Sequence, residues 1–161
     1  MQILYIHGLD SSPNPDRMGH LERLGHTVQG LHLDYRNTPD SYEQLKSLSV
    51  KQGVQFLVGS SLGGMLAFWL GEELGIPCLC FNPAMHVTKE EANIPLSFPH
   101  TCPKRWVVLG AEDDTVDPQA NWAYFQELTQ EDVFQQVWMC QGLGHQIDLP
   151  TFEGAARWCG L

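Results

Sequence analysis

A serine, a carboxylate and a histidine that could form a catalytic triad each follow a short apolar run of the sequence. Ser61 is the central residue of Gly59-Ser60-Ser61-Leu62-Gly63, which matches the pattern G-x-S-x-G. Asp113 and His145 lie farther along the chain, in the order nucleophile, acid, base. In that arrangement the His takes the serine proton as the oxygen attacks a carbonyl carbon, and the acid orients the His. The three residues predict acyl transfer through a serine nucleophile.

The glycines around Ser61 indicate which of two adjacent serines is the nucleophile. If Ser60 were central, Val58 and Leu62 would occupy the glycine positions, and their side chains would crowd the sharp turn between strand and helix. A Gly-Ser turn at the start of a helix is the alternative interpretation. An apolar strand pattern precedes the motif and a helical pattern follows it, so we expect Ser61 to be the nucleophile.

Four carboxylates compete for the role of the acid. They are Glu112, Asp113, Asp114 and Asp117. Asp117 directly precedes a Pro and a helical pattern, so its expected role is an N-cap. Asp113 lies three residues past the glycine that ends a strand pattern, and we favour it over Asp114 on triad geometry. The alternative is that all four form a solvated acidic turn.

The base is expected at His145, which follows the last strand pattern in Gly142-Leu143-Gly144-His145. Glycines on this loop would let the backbone aim the imidazole inward, where a His within reach of Ser61 could activate the hydroxyl. The other histidines lack this placement, and a lone loop His would be interpreted as a surface residue.

Two backbone N–H groups are expected to bind the oxyanion that forms during acyl transfer. One belongs to Leu62, directly after the nucleophile, and the other to Leu9, after the His7-Gly8 pair that ends the first strand pattern. An ordinary turn with a structural His is the alternative for His7. Asp10 follows directly, and its carboxylate is expected to repel anionic substrates in a salt-dependent way.

The elements that must position these residues alternate between strand and helix. The predicted strands are Gln2–Ile6, Thr27–Leu33, Val54–Val58, Pro77–Phe81, Arg105–Leu109 and Val133–Cys140. Predicted helices open at Asn14-Pro15, at Thr38-Pro39, directly after Ser61, at Asp117-Pro118 and near Pro150, with a short extra helix at Lys89–Ala92. Alternation of this kind predicts a parallel six-stranded sheet with helices on both faces, a three-layer αβα sandwich. The ligand site is expected beyond the carboxyl ends of the strands.

Residues 82–104 form the longest stretch without regular structure and are a candidate flap over the site. The segment begins at the carboxyl end of a strand and contains four prolines. Its apolar residues Met85, Leu96 and Phe98 are predicted to line an acyl pocket, together with Ile94. Packing of these side chains on the core is the equally weighted alternative.

Composition limits the classes of partner. The chain has 161 residues and a formal net charge of −10, which argues against nucleic acid and anionic membranes, since both are bound through clustered Lys and Arg. No apolar run is long enough to span a bilayer. The first eight residues indicate a strand rather than a signal peptide, and five Cys without a C-x-x-C pair indicate reduced thiols. We expect one cytoplasmic domain over residues 1–161, without metal or organic cofactor.

With these motifs in place, the sequence resembles the α/β-hydrolase superfamily, and more narrowly the small bacterial YqiA-like esterases. The matching stretches are residues 3–13, 57–64, 82–84, 113–117 and 144–145. The resemblance implies a minimal hydrolase fold without a cap domain, esterase activity, a triad at Ser61, Asp113 and His145, and oxyanion positions at Leu9 and Leu62.

The predicted function is hydrolysis of a small-molecule carboxylic ester or thioester through an acyl-enzyme on Ser61. One alternative is a catalytically inactive binding or scaffold protein on the same fold, because fold alone does not establish function. Another is an acyltransferase or a peptidase that uses the same triad. The natural acyl chain and the oligomeric state are left open by the sequence.

Overall fold

The computed structural model describes residues 1–97, 104–128 and 133–161, which form a three-layer αβα sandwich. Its sheet has six strands in the order β2-β1-β3-β4-β5-β6, and every neighbouring pair is parallel. The elements are, in chain order, β1 (Gln2–Ile6), α1 (Pro15–Arg23), β2 (Thr27–Gly30), α2 (Ser41–Gln52), β3 (Phe56–Ser60), α3 (Leu62–Leu74), β4 (Cys78–Phe81), β5 (Lys104–Gly110), α4 (Pro118–Glu127), β6 (Phe134–Cys140) and α5 (Leu149–Cys159). The predicted architecture is confirmed.

Two apolar clusters lie on opposite faces of the sheet, as the alternation of side chains along a strand requires. Along β1, Ile3 and Tyr5 join the cluster that α1 and α5 cover, whereas Leu4 and Ile6 join the cluster that α2, α3 and α4 cover. Every strand between the two edges is buried on both faces, which explains the nearly continuous apolar runs.

The second strand is shorter than predicted. Pairing of β2 with β1 stops at Gly30, although the apolar pattern continues to Leu33. The N–H of Leu33 donates to Nε2 of His7 at 3.0 Å. A side chain therefore takes the place of a ladder partner, and the chain turns over the end of β1.

Two further boundaries differ from the sequence prediction by two residues each. The predicted third strand starts too early, because the N–H of Val54 donates to the carbonyl of Ser49 and completes the end of α2. Helix α2 begins at Ser41 rather than at Pro39, since the carbonyl of Thr38 accepts from the N–H of Ser41 in a turn.

The short extra helix predicted at Lys89–Ala92 is wrong, because this stretch folds as turns. The Glu91 carboxylate accepts hydrogen bonds from both the N–H and the hydroxyl of Thr88. The Thr88 hydroxyl also accepts the N–H of Glu91, a reciprocal pattern that favours a helix start. The turn nevertheless ends after the bond from the N–H of Ala92 to the carbonyl of Thr88, because Asn93 adopts a positive φ of 52°.

Helix caps fix the chain where it leaves the loops around the carboxyl edge of the sheet. Asn14 and Asp117 accept backbone N–H groups at the starts of α1 and α4, as their positions before Pro predict, and Asp148 caps α5. None of the helices in the described part of the chain has the length and apolar character needed to cross a bilayer.

Candidate active site

Ser61 occupies a sharp turn between β3 and α3 and has a strained backbone. Its φ and ψ angles are 56° and −123°, a combination that costs an L-residue free energy. A Cβ at Gly59 would lie 2.1 Å from the carbonyl oxygen of Gly63, and a Cβ at Gly63 would lie 2.3 Å from that of His7. Both glycines of the motif are therefore required by close contacts with backbone atoms.

Hydrogen bonds from the neighbouring strand hold the turn in this conformation. The N–H of Ser61 donates to the carbonyl of Phe81 at 2.9 Å, and the N–H of Ala84 donates to the carbonyl of Ser61 at 3.0 Å. The peptide groups on both sides of Ser61 are thus fixed by β4 and the residues after it, so the hydroxyl is presented above the carboxyl edge of the sheet.

Ser61, His145 and Asp113 form a continuous chain of hydrogen bonds. The Nε2 atom of His145 lies 3.1 Å from the Ser61 hydroxyl, and its Nδ1 atom lies 2.8 and 3.0 Å from the two carboxylate oxygens of Asp113. The Asp113 side chain is 1% exposed. Its Oδ1 atom also accepts the N–H groups of Thr115 and Val116 at 2.8 and 2.9 Å, so backbone groups as well as the imidazole hold the carboxylate.

The competing carboxylates have other roles in the structure. Asp114 is exposed and accepts from the Thr115 hydroxyl at 3.2 Å. Asp117 caps α4 through the N–H groups of Gln119 and Ala120. The structure thus brings Asp113, rather than its neighbours, to His145.

Asn82 is a positioning residue that motif analysis did not identify. It is 2% exposed and adopts a positive φ of 41°, a conformation in which Asn is favoured over most residues. Its side-chain oxygen accepts the N–H of Gly110 at 2.6 Å, and its amide donates to the carbonyls of Gly144 and His145 at 2.9 and 3.1 Å. One side chain therefore joins the end of β4 to the two loops that carry Asp113 and His145. The only signal in the sequence was its place in the Asn-Pro-Ala stretch.

His7 organises the loop that follows β1. Nδ1 lies 2.7 Å from the Gly8 carbonyl, while Nε2 accepts the N–H of Leu33. The buried ring therefore carries its proton on Nδ1, and burial lowers the pKa of His7 below its ordinary value. Ser11 also donates to the Gly8 carbonyl, at 2.8 Å. Because C=O and N–H point in opposite directions across a trans peptide, these two bonds aim the N–H of Leu9 away from His7.

A cavity of about 610 Å³ opens at Ser61 and His145. Its apolar wall comes from the face of the sheet that α2 and α3 cover. The residues of that wall are Tyr35, Leu62, Leu66, Val87 and Ala92. The polar wall, as we call another part of the lining, comprises Tyr5, Ser12, Asn14, Arg17 and Gln146. Tyr5 points to the face of the sheet that α1 and α5 cover, and Arg17 belongs to α1.

Of the predicted acyl-pocket residues that the structure describes, none lines this cavity. Met85 packs against the core, Ile94 is buried in it, and Leu96 is 66% exposed; Phe98 lies outside the described residues. The prediction is wrong for these three residues because an apolar side chain on a loop can also turn toward the core, as Met85 and Ile94 do, or toward solvent, as Leu96 does. The segment still contributes to the cavity wall, through neighbours such as Val87 and Ala92.

Asp10 does not present a free carboxylate to the cavity, contrary to expectation. Arg36 donates to both of its oxygens, at 2.9 and 2.6 Å. This hydrogen-bonded pair lowers the pKa of Asp10 and raises the pKa of Arg36. Its two charges largely cancel, so repulsion of anions by Asp10 is weakened.

Comparison with known proteins gives a family and a fold. A family model described as Uncharacterised protein family (UPF0227) matches residues 2–94. A candidate hydrolase of the α/β superfamily from Xanthomonas campestris pv. campestris matches with a TM-score of 0.65 and 18% identity, over 97% of this chain and 94% of that one. SOBER1 from Arabidopsis thaliana matches with a TM-score of 0.71 and 17% identity, over 98% of this chain and 96% of that one. The monoacylglycerol lipase of Paleococcus ferrophilus matches with a TM-score of 0.71 and 15% identity, over 98% of this chain and 91% of that one.

Proposed function

Because this chain belongs to the uncharacterised protein family UPF0227, of the YqiA-like type, and has the α/β-hydrolase fold, we propose that it hydrolyses carboxylic esters or thioesters through an acyl-enzyme on Ser61. The observation that carries the proposal is the hydrogen-bonded chain from Ser61 through His145 to the buried Asp113, which opens on the cavity. The geometry matches the roles of nucleophile, base and orienting acid.

In the acylation step, the Ser61 oxygen attacks the carbonyl carbon of the ester while Nε2 of His145 takes the hydroxyl proton. Asp113 holds the proton on Nδ1, so that Nε2 presents its lone pair to the hydroxyl, and it stabilises the imidazolium that forms. His145 then returns the proton to the oxygen or sulfur of the leaving group as the bond from carbon to that atom breaks.

The proposed oxyanion donors are the N–H groups of Leu9 and Leu62. Leu62 is the first residue of α3, where an N–H has no partner within the helix and the helix dipole favours negative charge. The Leu9 N–H is oriented by the bonds that His7 and Ser11 make to the adjoining carbonyl. Two fixed donors aimed at a developing oxyanion act without reorganisation during the reaction.

Deacylation follows the same steps, with water in place of the Ser61 hydroxyl as the nucleophile. His145 takes a proton from a water molecule, whose oxygen attacks the acyl carbon. The proton returns to the Ser61 oxygen as its bond to the acyl group breaks, and the carboxylic acid leaves. The cavity beside Ser61 gives water and the acyl chain access to this carbon. An alcohol or amine acceptor in place of water would make the protein an acyltransferase.

The names of structurally similar proteins support ester chemistry, since they include the esterase PE8 and a monoacylglycerol lipase. Their identities of 18% and 15% to this chain leave the substrate to be determined by experiment. A scaffold protein would not need the intact hydrogen-bonded triad.

The proposal is tested with nitrophenyl esters and acyl thioesters of graded chain length. The wild-type protein should hydrolyse short esters, Ser61→Ala should have no activity above background, and the matched variant Ser60→Ala should keep most of it. Addition of an alcohol or amine acceptor, with analysis of the products, separates hydrolysis from acyl transfer. Activity that survives in Ser61→Ala would overturn the proposal.

A further inference from the structure

The polar wall of the cavity contains a half-buried cation with two neutral partners. Arg17 of α1 donates from Nη1 to the Tyr5 hydroxyl at 3.0 Å and from Nη2 to the carbonyl of Ile147 at 2.5 Å. Its guanidinium also lies 6.0 Å from the centre of the Phe152 ring. A guanidinium has five N–H donors, and these two bonds leave the others available to a group in the cavity.

No carboxylate forms an ion pair with Arg17 among the residues that the structure describes, although the chain has nineteen Asp and Glu against nine Lys and Arg. The other charged groups on the cavity wall have partners. Asp10 and Arg36 pair with each other, and Glu91 accepts from Thr88. Arg17 is therefore a cation of the wall whose charge no described carboxylate balances. Its free N–H donors can therefore bind an anionic group that enters the cavity.

Arg17 lies on the side of the cavity where we expect the leaving group of the substrate, not its acyl chain. Arg17 contacts the carbonyl of Ile147, which is two residues after His145. In the proposed reaction, His145 gives its proton to the leaving atom. Leu66 and Val87 form part of the apolar wall above the other face of the sheet. An ester bound across Ser61 would place its acyl chain against the apolar wall and its leaving group beside Arg17.

We propose that Arg17 determines specificity by binding an anionic group, a carboxylate or a phosphate, on the alcohol or thiol portion of the substrate. This inference rests on the proposed function. A planar guanidinium binds both kinds of anion through paired hydrogen bonds. The side chains of Ser12, Asn14 and Gln146 line the same wall and add polar partners for that group.

The test compares three nitrophenyl butyrates that differ in one ring substituent: a carboxylate, a phosphonate and a neutral carboxamide. The measured quantity is kcat/KM for each anionic ester divided by kcat/KM for the carboxamide, so that general damage to the site cancels. In the wild-type protein one or both ratios should exceed those for spontaneous hydrolysis, and added salt should lower them. Arg17→Gln should lower the raised ratio about tenfold or more.

Two variants make the result specific. Arg17→Lys keeps the charge without the planar fork and should retain part of the preference. Arg23→Gln removes the same charge from the same helix at an exposed position outside the cavity, and it should leave the ratios unchanged. The raised ratio identifies whether carboxylate or phosphate chemistry is recognised.

The outcomes separate this inference from the proposed function. Equal losses on all three esters in both Arg17 variants would show that Arg17 only supports the His145 loop, and would overturn the inference. Hydrolysis by the wild-type protein without a preference for charge would do the same while leaving the proposed function intact. If the wild-type protein hydrolysed no ester at all, both would fall.

Discussion

Replacement of Asp113 by Asn should remove catalysis while the site keeps its shape. Oδ1 of Asp113 accepts two backbone N–H groups, from Thr115 and Val116. The NH₂ of an Asn side chain cannot accept these two bonds, so the Asn oxygen should stay in that place and the NH₂ should face Nδ1 of His145. An NH₂ that donates to Nδ1 forces the imidazole proton onto Nε2, which then points a hydrogen at the Ser61 hydroxyl instead of a lone pair.

The expected loss in kcat is about 10⁴-fold, the scale seen when a triad acid is neutralised in this way, or about 5.4 kcal/mol of transition-state stabilisation. The free energy of unfolding should fall by only about 1 to 2 kcal/mol, because bonds to a charged acceptor become bonds to a neutral one. Steady-state kinetics on nitrophenyl butyrate and urea titrations measure the two quantities.

Two neighbouring carboxylates provide the controls for Asp113→Asn. Asp114→Asn should change kcat little, because the Asp114 side chain contacts the Thr115 hydroxyl and not His145. Asp117→Ala should cost about 1 kcal/mol of stability through the lost cap without an effect on kcat. A crippling effect of Asp114→Asn, or near-normal turnover by Asp113→Asn, would refute the assignment of the acid.

Three further predictions concern groups that hold the site in place. Burial lowers the pKa of His7 below its ordinary value of 6.5, so the unfolded chain binds a proton that the folded chain excludes. The free energy of unfolding should therefore fall as the pH drops below about 6.5, and His7→Gln should show a smaller fall in urea titrations between about pH 7.5 and 5.5. Asn82→Asp should lower kcat, because a carboxylate oxygen would face the carbonyls of Gly144 and His145; unchanged kcat would refute a positioning role. Gly63→Ala should yield no folded protein by circular dichroism, because its Cβ would lie 2.3 Å from a backbone carbonyl oxygen. As a control for Gly63→Ala, Gly154→Ala on α5 should instead raise stability by about 0.5 to 1 kcal/mol, because its Cβ would meet no described atom outside its own helix within 4 Å.

Much of the fold was predictable because its signals are local. Each of these signals determines the structure only a few residues away. They are the apolar runs of the strands, the Pro residues after helix caps and the glycines around Ser61. The contact of Asp113 with His145 was also predictable, since Asp113 and Asp117 have different distances from the strand before them and the helix after them. What the strand pattern could not show was the end of β2, where Leu33 bonds to a His ring 26 residues away.

The walls of the cavity were not predictable for a similar reason. Met85 and Val87 are both apolar and only two residues apart, but Met85 packs on the core while Val87 also lines the cavity. Their directions depend on the turns of the segment after β4. The roles of Asn82 and Arg17 depend on contacts with residues more than 60 and 100 positions away, respectively. A local sequence motif does not indicate contacts between residues so far apart in the chain.

Covalent labelling shows whether Ser61 is a nucleophile that His145 activates. The wild-type protein is incubated with a fluorophosphonate, digested and sequenced by mass spectrometry, with Ser61→Ala and Ser60→Ala treated in parallel. We predict one phosphonylated residue, Ser61, in the wild-type protein and in Ser60→Ala, and no label in Ser61→Ala. Label on Ser60, or label that persists in Ser61→Ala, would contradict the account.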